Sequence, residues 1–518
     1  MPLHELLDRA RAERPAHPAV VDSDGSLTYA GLGTDVDRAV GWLRAQGVTA
    51  GQRVVYAGGN DRTFVTLLHA AFRTGAVLVP VHPGLTVPQI AHIVADCTAA
   101  LAVCPPGAGD GAGRTVDVDR ARREIRDTDP DDFTAQVDED DVATLIYTSG
   151  TTGRPKGVVC PHRQTAAAVE AVNARLRYRP DDVVLCRLPL SFDYGLYQAL
   201  LCARTGSTLV LAERTGDHAL LKVIADHGVT VVPLVPSLAQ LLTLLQRRKR
   251  YPAQVRLFTN TGARPGRSVT AELLAAFPGS SFASMYGMTE CKRISILDPA
   301  RYEERPDSVG PAIPGDTVRV VDAHGRTLPA GQRGEIVVHG ATVMAGYWGV
   351  PLEDQRRFVR HPDGSLELHT GDQGHLDAEG LLYFAGRDDD MIKHRGTRIG
   401  LTEIEDAAER IPGVSAAVAL RPAREGAPLR LAVCTALAPH EVRELLARSL
   451  DAARLPDRIV PLPSVPLTAN GKPDRAAAQR QADALEQASA AVRPQPTKAP
   501  TARPAAHTTR TLHAAARV

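Results

Sequence analysis

The 518-residue chain carries almost no excess charge: 60 Lys and Arg stand against 59 Asp and Glu, a formal net charge of +1. That balance leaves no electrostatic footprint for a nucleic-acid partner. No apolar run is long enough to span a bilayer, so no membrane partner is expected. The opening Met1-Pro-Leu-His-Glu-Leu-Leu-Asp8 reads as an amphipathic helix carrying acids rather than as a leader peptide. Paired cysteines are missing too. The seven cysteines, at 97, 104, 160, 186, 202, 291 and 434, are scattered and include no Cys-x-x-Cys. This pattern argues for reduced thiols in a cytoplasmic protein and against structural zinc. Internal repeats are absent as well. At this length two or more domains are expected.

What the chain does have is an alternation of short apolar runs and helical stretches in its first half. Val54-Val-Tyr-Ala57, Ala76-Val-Leu-Val-Pro-Val81, Leu101-Ala-Val-Cys104 and Val183-Val-Leu-Cys186 read as strands, and 63–73 and 87–95 as helices. Such alternation implies α/β layers with largely parallel sheets. Residues 105–141 read as a variable loop region. From about 316 the texture changes to short strands with Gly turns, a β-rich subdomain. After the polar Asp388-Asp-Asp390 follows a compact segment with helix signals at 402–410, opened by a capping box Thr402-Glu-Ile-Glu405, and at 440–453. The Ala-, Pro-, Arg- and Thr-rich end has too little apolar surface to offset ordering entropy and is expected to be disordered.

One segment points to chemistry. Tyr147-Thr-Ser-Gly-Thr-Thr-Gly-Arg-Pro-Lys-Gly157 follows the apolar run Val142-Ala-Thr-Leu-Ile146. Its three glycines let backbone N–H groups turn inward, and four hydroxyls and a lysine add donors: a seat for a polyphosphate. The Gly-Lys-Ser/Thr ending of a Walker A loop is not there, which excludes a P-loop NTPase. Three other motifs accompany it: Ser284-Met-Tyr-Gly-Met-Thr-Glu290, Thr370-Gly-Asp372 ahead of Gly380-Leu-Leu-Tyr-Phe-Ala-Gly-Arg387, and Pro466-Leu-Thr-Ala-Asn-Gly-Lys472. Together with Gly386-Arg-Asp-Asp-Asp-Met-Ile-Lys-His-Arg-Gly396 they resemble, in order and nearly end to end, the adenylate-forming superfamily. That superfamily comprises acyl-CoA synthetases, adenylation domains of nonribosomal peptide synthetases, and luciferases.

The resemblance implies an α/β fold. A large N-terminal domain of two sandwiched αβ sheets plus a distorted β-barrel subdomain would span 1–388, and a small α+β C-terminal domain on a hinge 389–475. Residues 476–518 would be a helix end and tail. It implies ATP and Mg²⁺ as cofactors. Thr148, Ser149, Gly150, Thr151, Thr152, Gly153 and Lys156 would hold phosphates. Gly262 and Ala263 would line the adenine pocket, although Thr261 replaces a family glycine there. Tyr286 and Gly287 would lie against adenine, Thr289 at the α-phosphate and Glu290 on Mg²⁺. Asp372 and Arg387 would contact ribose or phosphate, Lys472 would be the adenylation lysine, Asp389 the hinge, and Gly396 would line the thiol tunnel.

The acid itself is less legible. Phe192, Asp193 and Tyr194 occupy the segment where amino-acid adenylation domains carry an Asp. A substrate ammonium is one partner for Asp193; pairing with Lys292 or Arg293 and a helix cap are the others. The Lys292-Arg293 pair is suited to a second acidic group on the substrate, or to a small anion such as nitrite. The expected function is a stand-alone AMP-forming acid–thiol ligase for a small carboxylic acid, an amino acid or amino-bearing acid. A nitrite-activating diazotase-like enzyme or an aryl or fatty acyl-CoA synthetase is the alternative. No Gly-Gly-x-Ser carrier site follows residue 475, so the acceptor is expected in trans, as CoA or a separate carrier protein.

Overall fold

A computed structural model describes residues 1–149, 155–212, 215–262, 264–387, 391–394, 397–422, 424, 427–452, 454–468 and 473–491. Two α/β sheets form the larger part. The first runs in the order Arg114–Val116, Leu101–Val103, Arg53–Tyr56, Val77–Pro80, Val142–Ser149, Pro155–Pro161. Its pairings are parallel except for the last, an antiparallel hairpin. The second sheet has eight strands, with Val183–Cys186, Val231–Leu234, Leu257–Asn260 and Ser281–Tyr286 at its parallel centre. Val183–Cys186 and Val231–Leu234 are apolar runs without alternation because both faces are covered.

One hydrophobic cluster lies between the two sheets. Trp42, Phe64, Leu68, Phe72 and Leu200, on intervening helices, pack against Val54 and Leu78 of one sheet and Val184 and Leu257 of the other. The helix Arg62–Thr74 illustrates why the chain folds this way locally. Asp61 accepts hydrogen bonds from the N–H groups of Thr63 and Phe64, and Gly75 ends the helix at φ +69°. Between these stops Phe64, Leu67, Leu68, Ala71 and Phe72 are buried. Truncating one such residue, Leu68→Ala for instance, costs roughly 2–5 kcal/mol.

The β-rich unit expected from about 316 is a five-stranded antiparallel sheet of Asp316–Val321, Gly334–Gly340, Leu366–Leu376, Phe358–Arg360 and Leu382–Arg387. The C-terminal unit follows, with the pair Met391–His394 and Thr397–Gly400, the helix Leu401–Glu409, and a sheet of Val414–Leu420, Arg430–Thr435 and Arg458–Pro461. Together these layers form the expected α/β architecture.

Three local expectations are corrected. Residues 105–141 are not all loop: they include the strand Arg114–Val116 and the helix Val118–Asp127, capped by Asp117. Thr402 is not a helix cap. The helix begins at Leu401 with Gly400 at its N-cap, because the buried stripe Leu401, Ile404, Ala407, Ala408 sets its start. The last helix runs Arg475–Ala491, and Ala478 and Ala482 pack on Val418, Leu420, Ala432 and Val460. The C-terminal unit therefore extends beyond 475, held by small residues one turn apart. Of the helix end and disordered tail expected over 476–518, residues 492–518 lie outside the described residues.

The helix Leu401–Glu409 docks against the larger part of the chain. Glu403 pairs with Arg333, and Asp406 lies 3.1 Å from Arg264. Gln240 donates to the Ser415 carbonyl.

Candidate active site

The two flanks of the phosphate-loop stretch pair as an antiparallel hairpin, Thr148 with Lys156 and Ser149 with Pro155 in register. Gly150, Thr151, Thr152 and Gly153 lie outside the described residues. Lys156 Nζ stands 5.4 Å from the Tyr347 ring centroid, a cation–π contact. Two backbone bonds, Val159 N–H to Gly346 O at 2.8 Å and Trp348 N–H to Gly157 O at 2.7 Å, bind the 346–348 turn to that hairpin.

From Tyr347 a polar chain leads across the site. Its hydroxyl donates to Glu290 Oε1 at 2.6 Å. Arg357 Nη1 lies 3.3 Å from the same oxygen, and Arg357 also donates to the carbonyls of His369 and Thr370. Two residues on, Asp372 Oδ2 accepts from the Tyr286 hydroxyl at 2.6 Å. Burial, then the Asp372 charge, raises the Tyr286 phenol well above its ordinary value, so it stays a neutral donor. Tyr286 also packs on Phe384, ring centroids 5.2 Å apart. Arg387 lies opposite Asp372 in the strand register. The tertiary structure thus joins four segments far apart in sequence around one polar chain.

Local sequence explains how the turn after Tyr286 closes. A Cβ on Gly287 would lie 2.2 Å from the Lys292 carbonyl oxygen, so only glycine permits this approach. Thr289 is half-buried on the turn, and Gly262 adopts φ +89° after the strand Leu257–Asn260. Ala263 lies outside the described residues, as do Asp389, Gly396 and Lys472.

The folded-back turn delivers Arg293 to the helix Asp193–Thr205 and Lys292 to Cys160 on the strand Pro155–Pro161. Arg293 is buried, its Nη1 lies 3.3 Å from Asp193 Oδ2, and its guanidinium carbon is 4.8 Å from the Tyr194 ring centroid. Among the described residues its Nε has no hydrogen-bond partner. Lys292 is only 1% exposed; among the described residues its ammonium has Cys160 Sγ at 3.1 Å as its one hydrogen-bond partner, while its carbonyl accepts from Arg293 Nη1 at 2.6 Å. It also holds φ +58°, rare outside glycine. Tyr194 donates to the Thr259 carbonyl at 2.7 Å, which fixes this helix to the strand Leu257–Asn260. Phe192 stacks on His82 at 5.8 Å. Of the three partners the sequence left open for Asp193, the structure contains the cation Arg293. Asp193 is the first residue of its helix, and that helix has no side-chain cap hydrogen bond.

Glu290 suits a hard divalent cation: it is 6% exposed, and among the described residues its Oε2 accepts no hydrogen bond while Oε1 is held by Tyr347 and Arg357. The sequence reading missed Tyr347, Arg357 and Cys160. An isolated Tyr, Arg or Cys carries no periodic or motif signal, and only tertiary contact brings these to the site. All seven cysteines are buried and unpaired; burial pushes the Cys202 thiol up to about 12 and that of Cys104 to about 11. Among the described residues no helix is long and apolar enough to cross a membrane.

The chain is similar to known proteins. Residues 7–348 match the family model described as AMP-binding enzyme. A plipastatin synthase of Bacillus subtilis (strain 168) is 31% identical over 488 residues, 91% of this chain but 19% of that protein. The chain thus spans about a fifth of the length of that relative. Feruloyl-CoA synthase of an Amycolatopsis species is 33% identical over 419 residues, 78% of this chain and 83% of that one. Among solved structures, VinN in complex with L-aspartate is 38% identical with a TM-score of 0.69, covering 74% of this chain and 98% of that one. By the family match, by these relatives and by its fold, the chain belongs to the AMP-binding enzyme family, the adenylate-forming enzymes.

Proposed function

We propose that this protein is an AMP-forming acid–thiol ligase whose acid is a small amino-bearing dicarboxylic acid of the aspartate type. The carrying observation is a charge set: the carboxylate Asp193 lies 3.3 Å from the buried cation Arg293, and the adjoining Lys292 is a second buried cation, set on Cys160. A buried ammonium whose partner is a thiol is short of an anion, and a ligand carboxylate would supply it. Asp193 in turn offers a carboxylate to a ligand ammonium. The likeness to VinN, solved with L-aspartate, points the same way.

In the proposed reaction the acid's free carboxylate oxygen attacks the α-phosphorus of ATP, and the bond to the bridging oxygen of pyrophosphate breaks. A thiol sulfur, from CoA or a separate carrier protein, then attacks the acyl carbon, and AMP leaves with its oxygen. Magnesium bound with the nucleotide would neutralise triphosphate charge, and Glu290 would hold it. Thr289 faces the α-phosphate in this reading, Tyr286 covers adenine, and Asp372 and Arg387 bind ribose or phosphate. Lys472 would stabilise the charge that builds as the carboxylate attacks; a donor so placed contributes about 3–4 kcal/mol. Asp389 and Gly396 would serve the subsequent domain rotation and thiol entry.

Acid-dependent ATP–pyrophosphate exchange tests the reading. The panel is aspartate, its desamino and decarboxy analogues, neutral amino acids, aryl acids and nitrite. Aspartate-type acids should support the fastest exchange. Equal exchange with desamino or neutral acids would overturn the assignment of the pocket, and exchange with nitrite alone would replace it.

A further inference from the structure

Arg357 is half-buried, immediately ahead of the strand Phe358–Arg360, and belongs to none of the motifs that mark the site. Nevertheless its guanidinium touches two of them. Nε donates to the His369 carbonyl at 3.1 Å and Nη2 to the Thr370 carbonyl, the two residues that lead into Gly371-Asp372. Nη1 lies 3.3 Å from Glu290 Oε1 and 3.4 Å from the Tyr347 hydroxyl, and Nη2 lies 3.9 Å from Met288 Sδ. A Cβ built on Gly371 would stand 4.0 Å from Nη2, so the guanidinium fills the space beside that glycine. A planar fork with several fixed donors is the side chain able to satisfy carbonyls and a carboxylate at once.

We propose that Arg357 is a positioning residue for the nucleotide. It sets the spacing between the metal-facing carboxylate Glu290 and the ribose-facing carboxylate Asp372, and a divalent cation must compete with it for Glu290. The physical reason is charge. With Arg357 at Oε1, Glu290 is already partly neutralised, so a cation approaching it gains less than at a bare carboxylate and meets a like charge. The inference rests on the ATP-binding reading above. It adds that the dependence of ATP binding on magnesium is set by this arginine.

The test is equilibrium binding of ATP to the full chain without acid substrate, by calorimetry, in excess magnesium and in EDTA. The readout is the ratio of the two dissociation constants. Arg357→Gln keeps hydrogen-bond donors but removes the charge. It should weaken binding in EDTA, while the gain conferred by magnesium grows roughly tenfold, the loss of one charge-assisted contact. Arg357→Lys keeps the charge but cannot span both carbonyls. It should weaken binding in both media and leave the ratio as in the wild type. An unchanged ratio in Arg357→Gln, with both constants raised equally, would overturn the competition and leave a merely structural arginine. A ratio that grows in Arg357→Lys would overturn it as well, because charge would then not be the cause. If Arg357→Gln does not fold, the lysine variant alone decides. Failure of the wild type to bind ATP in magnesium would instead sink the functional reading.

Discussion

Asp193 and Arg293 show how one contact serves two readings. The carboxylate and guanidinium are 3.3 Å apart, and Arg293 is 4% exposed. Asp193→Asn keeps the shape and removes the charge. If the carboxylate holds a substrate ammonium, an amino-bearing acid should lose about tenfold to a hundredfold in specificity constant, while its desamino analogue changes little. If it serves Arg293 alone, the buried cation is left uncompensated, and all acids should fall together with the melting temperature. We expect the first pattern, measured by exchange kinetics and thermal unfolding side by side. Lys472→Ala is the second test of a single side chain. It should lower adenylate formation about a hundredfold or more while a supplied acyl-adenylate is still converted to thioester. Equal loss in both half-reactions would remove Lys472 from the adenylation role.

Where helices pack, buried histidines make the fold sensitive to acid. His4 on the first helix, His69 on Arg62–Thr74 and His162 at the start of His162–Leu176 lie close together, with Phe72 edge-on to both His69 and His162. His162 Nδ1 accepts from the Leu3 N–H at 3.2 Å, and among the described residues neither His69 ring nitrogen has a hydrogen-bond partner. Burial, then the nearby His4, pushes both His69 and His162 down to about 4. Both are neutral in the folded protein, whereas unfolded histidine takes up a proton near pH 6.5. The unfolded state therefore binds more protons as pH falls. Their contribution is full above about 6.5 and is lost progressively toward 4. His69→Leu should reduce the stability lost between pH 8 and pH 5 by about 2 kcal/mol, read as the change in urea midpoint for each protein against itself. An identical pH dependence in variant and wild type would contradict this.

Between the two domains, the face of Leu401–Glu409 that meets the larger one carries Glu403, Asp406 and Glu409. Glu409 lies over Gly266, where an added Cβ would sit 3.2 Å from Oε2, and its Oε1 is 3.4 Å from the Ala417 N–H. Burial, then the Asp406 charge, raises the Glu409 carboxyl to about 8, with Glu405 raising it further and Arg264 opposing. Asp406 is raised too, by burial, against Arg264 and Arg410. Docked, Glu409 keeps its proton; released to water, it would lose it near 4.5. Docking is thus most favoured below that value and weakens as pH rises toward about 8. Hydrogen exchange of the helix amides, corrected for intrinsic rates, should show protection falling between about pH 6 and pH 8.5 in the wild type and holding steady in Glu409→Gln. A fall of equal size in the variant would rule out Glu409 as the linked group.

Local sequence dictates the chemistry of the nucleotide end. Motifs such as Thr148–Lys156 and Tyr286–Glu290 are local, because each must place several donors within one turn, and that need is written in adjacent residues. The α/β layering is legible for the same reason: strands buried on both faces, such as Val183–Cys186, must be continuous apolar runs. Tertiary packing sets what no local pattern encodes. Arg357 meets Glu290, Arg293 meets Asp193 and Lys292 meets Cys160 across 67, 100 and 132 positions of sequence. These pairings follow from how sheets and turns stack, since a lone arginine or cysteine has no periodicity to betray its partner. The start of the Leu401 helix and the packing of Ala478 and Ala482 arise in the same way, from what each side chain finds to bury against once the layers are assembled.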